Sequence, residues 1–154
     1  YNLKMTDMQA AIGSAQMDRL PEFTARRKEN FSAWRTIFQK YADWFVFEKA
    51  TAGSDPSWFA YVVTLSDKAP FTRDELAQHL NVNLVETRYL FAGNMVRQPF
   101  FDGVPHRVAD TLVNTDYIMN NTFFLGTYPG LTAEMLAYVE GVIDGFMAGK
   151  KAGK

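Results

Sequence analysis

The chain has 154 residues, a length that suits one domain burying roughly two-thirds of its unfolded surface. Hydrophobic residues make up 47% and charged ones 21%, and a net charge of −1 gives no electrostatic reason to expect nucleic acid or an anionic membrane as partner. There is no cysteine, which excludes disulfides, thiolate metal sites, iron–sulfur ligation and a cysteine nucleophile within these residues. No apolar run approaches the length of a membrane span and no signal-peptide pattern appears, so a cytoplasmic location is expected.

Thr6 followed by Gln9 reads as a capping box that opens a helix over about Asp7 to Arg19, with Met5, Met8, Ile12 and Ala15 on one stripe. Pro21 is expected to interrupt it and to start a second helix to about Tyr41, carrying Phe31, Trp34, Phe38 and Tyr41 on one face. The cluster Arg26, Arg27 and Lys28 between them reads as a solvated face. Residues 44–49 look like a short strand and Trp58–Leu65 like a strong one, with Phe59, Tyr61, Val63 and Leu65 alternating onto one face. Thr72 with Glu75 is a second capping box, for a helix to about Leu80, and Leu84–Tyr89 is another expected strand. Asn114 is the expected cap of a short helix, Phe123–Leu125 a short strand, and Thr132 the cap of a final helix carrying Met135, Val139, Val142 and Phe146. Residues 149–154 read as a mobile tail. Helices alternating with short strands, and no repeat, predict an α+β (or α/β) fold: a small, mostly antiparallel sheet covered by helices. The two opening helices must cover that sheet or pack on something outside the chain.

Neither His79 nor His106 has partners at metal-ligand spacing, no glycine-rich phosphate loop appears, and no lysine is marked as a Schiff-base former. These residues alone therefore carry no complete catalytic or metal set. The most informative stretch is "ETRYLFAGNMVRQPFF", which plants Arg88, Asn94 and Arg97 among Leu90, Phe91, Phe100 and Phe101. Polar groups in apolar surroundings must be hydrogen-bonded, because each unpaired one costs on the order of 1–3 kcal/mol. Two guanidiniums and an amide can cradle a phosphate or a polyhydroxylated sugar. Equally, Arg88 can pair with Glu86 or Asp74 while Asn94 supports a turn.

"YNLKMTDMQAAIGSAQMDRL", "DPSWFAYVVTL", "ETRYLFAGNMVRQPFF" and "NTDYIMNNTFFLGTYPGLT" together resemble the C-terminal part of the DegT-type sugar-nucleotide enzymes, pyridoxal-phosphate proteins of the aspartate-aminotransferase fold. The "LFAGN" to "RQP" and "NTDYIMNN" segments resemble the narrower branch that removes the C3 hydroxyl of CDP-4-keto-6-deoxyglucose in dideoxysugar and lipopolysaccharide biosynthesis. The resemblance implies a homodimeric sugar-nucleotide 3-dehydratase that uses pyridoxal or pyridoxamine phosphate as electron sink. It also implies a histidine base in place of the Schiff-base lysine and a [2Fe–2S] cluster, both carried by segments that precede Tyr1, and a separate reductase partner. Residues 1–154 are then the small C-terminal domain, and residues 1–20 the junction helix from a large cofactor domain. Asn2 matches the asparagine that reaches the neighbouring subunit's cofactor phosphate, a task suited to an uncharged donor. Arg88, Asn94 and Arg97 match a loop that borders the substrate cleft; Tyr1 and Lys4 flank the phosphate motif, and Trp58 and Tyr128 read as core or interface. The segments "LNVNLVETR" and "FFDGVPHRVAD" depart from the family's pattern. A sugar aminotransferase, a GDP-4-keto-6-deoxymannose 3-dehydratase and a non-catalytic dimerisation or binding module are the alternatives.

Overall fold

The computed structural model describes residues 3–152. Thr6 caps α1 (Asp7–Gln39) as expected: its hydroxyl accepts from the Gln9 N–H at 3.3 Å, and the Gln9 side chain accepts from the Thr6 N–H at 2.9 Å. The expected break at Pro21 does not occur, and α1 is one helix running through the proline. An interior proline removes one N–H and crowds the carbonyl four residues back, a cost of about 3 kcal/mol. That carbonyl belongs to Met17, within a stretch from residue 11 to 22 that is exposed throughout, so water can serve the orphaned acceptor. Asn30, Trp34, Ile37 and Phe38 are buried farther along and anchor the helix after the proline.

A single 3-10 turn at Ala42–Trp44 leads into β1 (Phe45–Val46). β2 (Ala60–Leu65), α2 (Arg73–Val82) and β3 (Arg88–Tyr89) follow, then α3 (Val113–Asn121), β4 (Thr122–Gly126) and α4 (Ala133–Ala152). The four-stranded sheet has the order β1-β2-β4-β3 and every pairing is antiparallel, the α+β arrangement read from the sequence. Tyr61 stands opposite Leu125 and Val63 opposite Phe123, and these residues, with Leu65, form the floor of the core. Trp34 and Phe38 from α1, Leu76 and Leu80 from α2, and Val139, Ile143 and Met147 from α4 close over them. Phe38 stacks on Tyr61 with ring centroids 5.4 Å apart and meets Phe45 edge-on at 5.0 Å.

Helices cover one face of the sheet. On the other face Val62 pairs with Phe124, and the Phe59 and Phe91 rings each lie 6.0 Å from the Phe124 ring. Phe59 thus corrects the expected alternation: β2 begins at Ala60, and the ring one residue outside the pleat is 70% exposed. The strands expected over 44–49 and 84–89 shrink to two residues each. For β3 the reason is local. Leu84 takes a left-handed φ of 60°, and the Asn81 side chain engages both the N–H and the hydroxyl of Thr87 at 3.0 Å, diverting that backbone from the ladder. α3 begins before the expected cap, with Asn114 inside it, because the chain enters through a left-handed Leu112 (φ 57°).

The basic cluster is also not a solvated face. Arg26 donates to the Leu131 carbonyl at 3.2 Å, and Arg27 donates to the Trp58 and Phe59 carbonyls at 3.2 and 3.1 Å. Lys28 pairs with Asp55. These cations tie α1 to the loop before β2 and to the segment before α4. At the far end α4 is helical through Ala152, and Lys150 pairs with Glu75.

Thr72 and Glu75 form the second capping box, and the Lys150 ammonium, then the Thr72 N–H, pull the Glu75 carboxyl down to about 2 from an ordinary 4.5. A depressed carboxyl contributes stability that is present above its unfolded value and is lost as pH falls through its folded value. Glu75→Gln retains a capping acceptor and loses the charge. Thermal unfolding should therefore show a variant less stable than the parent at pH 7, with the gap closing between pH 4.5 and about 2. Phe38→Ala should cost about 3–5 kcal/mol in denaturant unfolding, because it opens a cavity at the centre of the aromatic core.

Candidate functional site

β3 ends at Tyr89, and the chain then turns through Phe91 and Gly93 at φ values of 50° and 63°. Gly93 is required twice over: its φ suits glycine, and a Cβ there would overlap the Met119 side chain on α3. Asn94 next caps a single 3-10 turn at Met95–Arg97, accepting the Val96 N–H at 3.3 Å. The Asn94 amide also donates to Asp116 Oδ1 at 2.7 Å. Arg97 reaches the same carboxylate, with Nη2 at 3.1 Å from Oδ2 and Nε at 3.4 Å from Oδ1. Gln98 closes the loop by donating to the Ala92 carbonyl at 2.6 Å. Arg73, its guanidinium 4.0 Å above the Tyr89 ring, donates to the Met119 carbonyl and fixes α3 from the other side.

Asn94 and Arg97 are therefore joined through one acid that the sequence reading did not single out. Asp116 lies in the quoted "NTDYIMNN", but nothing in that local string signals a partner 19 residues earlier. Hydrogen bonds from Arg97, then Asn94, hold the Asp116 carboxyl below the usual carboxylate range. Asn94 is 2% exposed with both ends of its amide engaged, so it braces the loop; the Arg97 side chain is 60% exposed.

Arg88 stands apart from that cluster. It sits on β3 and pairs with Glu86, at 2.8 Å from Nη2 and 3.0 Å from Nε, whereas Asp74 accepts from the Tyr89 hydroxyl at 2.9 Å. Because β3 is so short, the edge of β4 at Leu125 and Gly126 opens into a groove of about 610 Å³. Trp34, Val85, Tyr128, Met135, Tyr138 and Val139 make it largely apolar, and Arg88, Glu86 and Glu134 supply its charged groups. His79 rests against Phe146 with ring centroids 5.1 Å apart, and His106 is exposed with Nδ1 2.7 Å from the Val104 carbonyl oxygen. Asn2 lies outside the described residues.

A helix-covered antiparallel sheet of this topology is a part of the aminotransferase fold. The chain superposes on the aminotransferase from Psychrobacter cryohalolentis with a TM-score of 0.85 at 23% identity, covering 97% of this chain and 40% of that one. It superposes on the Escherichia coli GDP-4-keto-6-deoxy-D-mannose-3-dehydratase, solved with hydrated pyridoxal phosphate, with a TM-score of 0.80, covering 92% of this chain and 36% of that one at 23% identity. The chain belongs to the DegT/DnrJ/EryC1/StrS aminotransferase family, which it matches over residues 1–144. The family resemblance carried by the four quoted motifs is thus borne out.

Among curated relatives, the lipopolysaccharide biosynthesis protein RfbH of Salmonella typhimurium is 48% identical over 146 residues, which is 95% of this chain and 33% of that protein. The dTDP-4-dehydro-2,6-dideoxy-D-glucose 3-dehydratase of Saccharopolyspora spinosa is 40% identical over 150 residues, 96% of this chain and 32% of that protein. The chain spans about a third of the length of these relatives.

The groove does not fit pyridoxal phosphate on its own. No lysine lines it, and beside its single arginine, Arg88, its walls are largely apolar where the cofactor's phosphate would need several donors. The loop itself is testable. Gly93→Ala should cost about 1–3 kcal/mol in denaturant unfolding, and Met119→Ala in the same chain should restore part of that loss.

Proposed function

We propose that this chain is the C-terminal domain of a pyridoxal- or pyridoxamine-phosphate-dependent sugar-nucleotide 3-dehydratase, with CDP-4-keto-6-deoxyglucose as substrate in the biosynthesis of lipopolysaccharide dideoxysugars. The observation that carries this reading is the 40% identity, over 96% of the chain, to an enzyme named for dehydration at C3 of a keto-deoxysugar nucleotide. The relative at 48%, named for lipopolysaccharide biosynthesis, supports the pathway. The parent protein would hold the cofactor, a histidine base and a [2Fe–2S] cluster outside these residues, act as a cytoplasmic homodimer and pass its product to a reductase partner. Residues 1–20 would join the two domains.

This domain's share of the work is then to bind and orient. Arg97 offers an exposed guanidinium from a braced loop, Asn94 holds that loop, and Arg88 offers a second cation at the rim of the groove. Arginine suits the diphosphate and hydroxyls of a sugar nucleotide because its donors form a planar fork. Asn2 would donate to the cofactor phosphate of the neighbouring subunit. A sugar aminotransferase is the second reading, favoured by the 24% identity over 94% of the chain to the GDP-perosamine synthase of Caulobacter vibrioides.

The parent protein, supplied with cofactor and with CDP-, dTDP- and GDP-linked 4-keto-6-deoxy sugars, should yield a C3-deoxygenated product with the CDP sugar by mass spectrometry. An amino sugar formed from glutamate instead would establish the second reading. Arg97→Ala should raise KM about 10- to 100-fold, the loss of one charge-assisted hydrogen bond, with kcat little changed. Asn2→Ala should weaken cofactor retention in the dimer, read by absorbance after dialysis; unchanged retention sinks the phosphate assignment.

A further inference from the structure

The Arg97 side chain is 60% exposed, and a solvent-exposed arginine ordinarily samples many rotamers. Here one edge of its guanidinium is fixed. Nε and Nη2 both face the Asp116 carboxylate, and among the described residues Nη1 has no partner. The same carboxylate accepts from the Asn94 amide at 2.7 Å, and that amide caps the turn on which Arg97 sits. One side chain on α3 therefore sets both the backbone that carries Arg97 and the direction in which its outer edge points. Asp116 is itself half-buried, in the first turn of α3. Arg73 and Met119 pin the same helix to the loop, as their contacts with Tyr89, Gln98 and the Gly93 backbone show.

We propose that Asp116 is the positioning residue of the substrate-binding wall: it orients Arg97 so that the Nη1 edge meets the sugar nucleotide. It does so without touching that ligand. This rests on the reading of Arg97 as a substrate contact. The geometry adds why a long cation on a loop binds at little entropic cost, since its orientation is set before the ligand arrives.

Asp116→Asn keeps an acceptor for Asn94 and removes the charge that fixes Arg97. In the parent enzyme it should raise KM about tenfold and leave kcat within about twofold, the pattern of lost binding common to ground and transition states. Combined with Arg97→Ala it should add nothing to the KM increase of Arg97→Ala alone, because a residue that acts only through Arg97 has no effect once Arg97 is gone. A merely structural role predicts the opposite: Asp116→Asn would lower stability and raise KM by the same factor in either background. Additive effects, or an unchanged KM in Asp116→Asn while Arg97→Ala is impaired, would overturn the positioning role and leave the Arg97 reading standing. An unchanged KM in Arg97→Ala would remove both. Should Asp116→Asn fold poorly, Asp116→Glu, which keeps the charge and displaces it by one methylene, carries the same expectation, and an unchanged KM there overturns the proposal.

Discussion

The antiparallel pairing of β2 with β4 is the constraint on which the rest of the domain depends. It joins segments about sixty residues apart and fixes which side chains point to which face, from Ala60 opposite Gly126 to Thr64 opposite Thr122. A shift of one residue would turn Tyr61, Val63, Phe123 and Leu125 away from the helices and expose the core. With the register set, α1, α2 and α4 have one floor to pack on. Both edges then follow: β1 adds to β2, and β3 adds briefly to β4 before leaving to form the loop that carries Arg97.

Much of this was legible in the sequence. The capping boxes at Thr6 and Thr72 marked true helix starts, because a cap is a local bond between residues three apart. The alternation of Tyr61, Val63 and Leu65 marked the inner face of β2 for the same reason of short-range geometry. What was not legible was non-local. Pro21 reads as a stop, yet anchoring by Trp34 and Phe38 farther along the helix overrides it. Arg26 and Arg27 read as solvated, yet their acceptors are carbonyls about 105 and 30 residues away respectively, which no local pattern encodes. The candidate site divides in the same way. Arg88 and Arg97 drew notice as cations among aromatics, whereas Asp116, the acid that organises the loop, is invisible until the fold brings α3 beside it.

The loop also illustrates how a short edge strand is put to use. Two residues of β3 suffice to place the chain, and three polar side chains with one carboxylate replace the ladder that would otherwise hold it. The left-handed Phe91 and Gly93 bend the backbone tightly enough for Asn94 to reach α3, so backbone strain at one position is offset by a buried amide with both ends bonded.

Pro21 gives α1 a mechanical character. Beyond it, from residue 23, the helix is bolted to the sheet by aromatic packing and by arginines; before it, the turns from residue 11 onward bury nothing against the domain. The missing hydrogen bond at Met17 lies within that unburied stretch, one turn before the proline. Seen as a beam, the helix is clamped at one end and has its compliant joint just outside the clamp. A load applied near Met5 or Met8 bends that joint before it turns the sheet, so whatever holds the outer end can shift by a small angle without disturbing the register of β2 and β4.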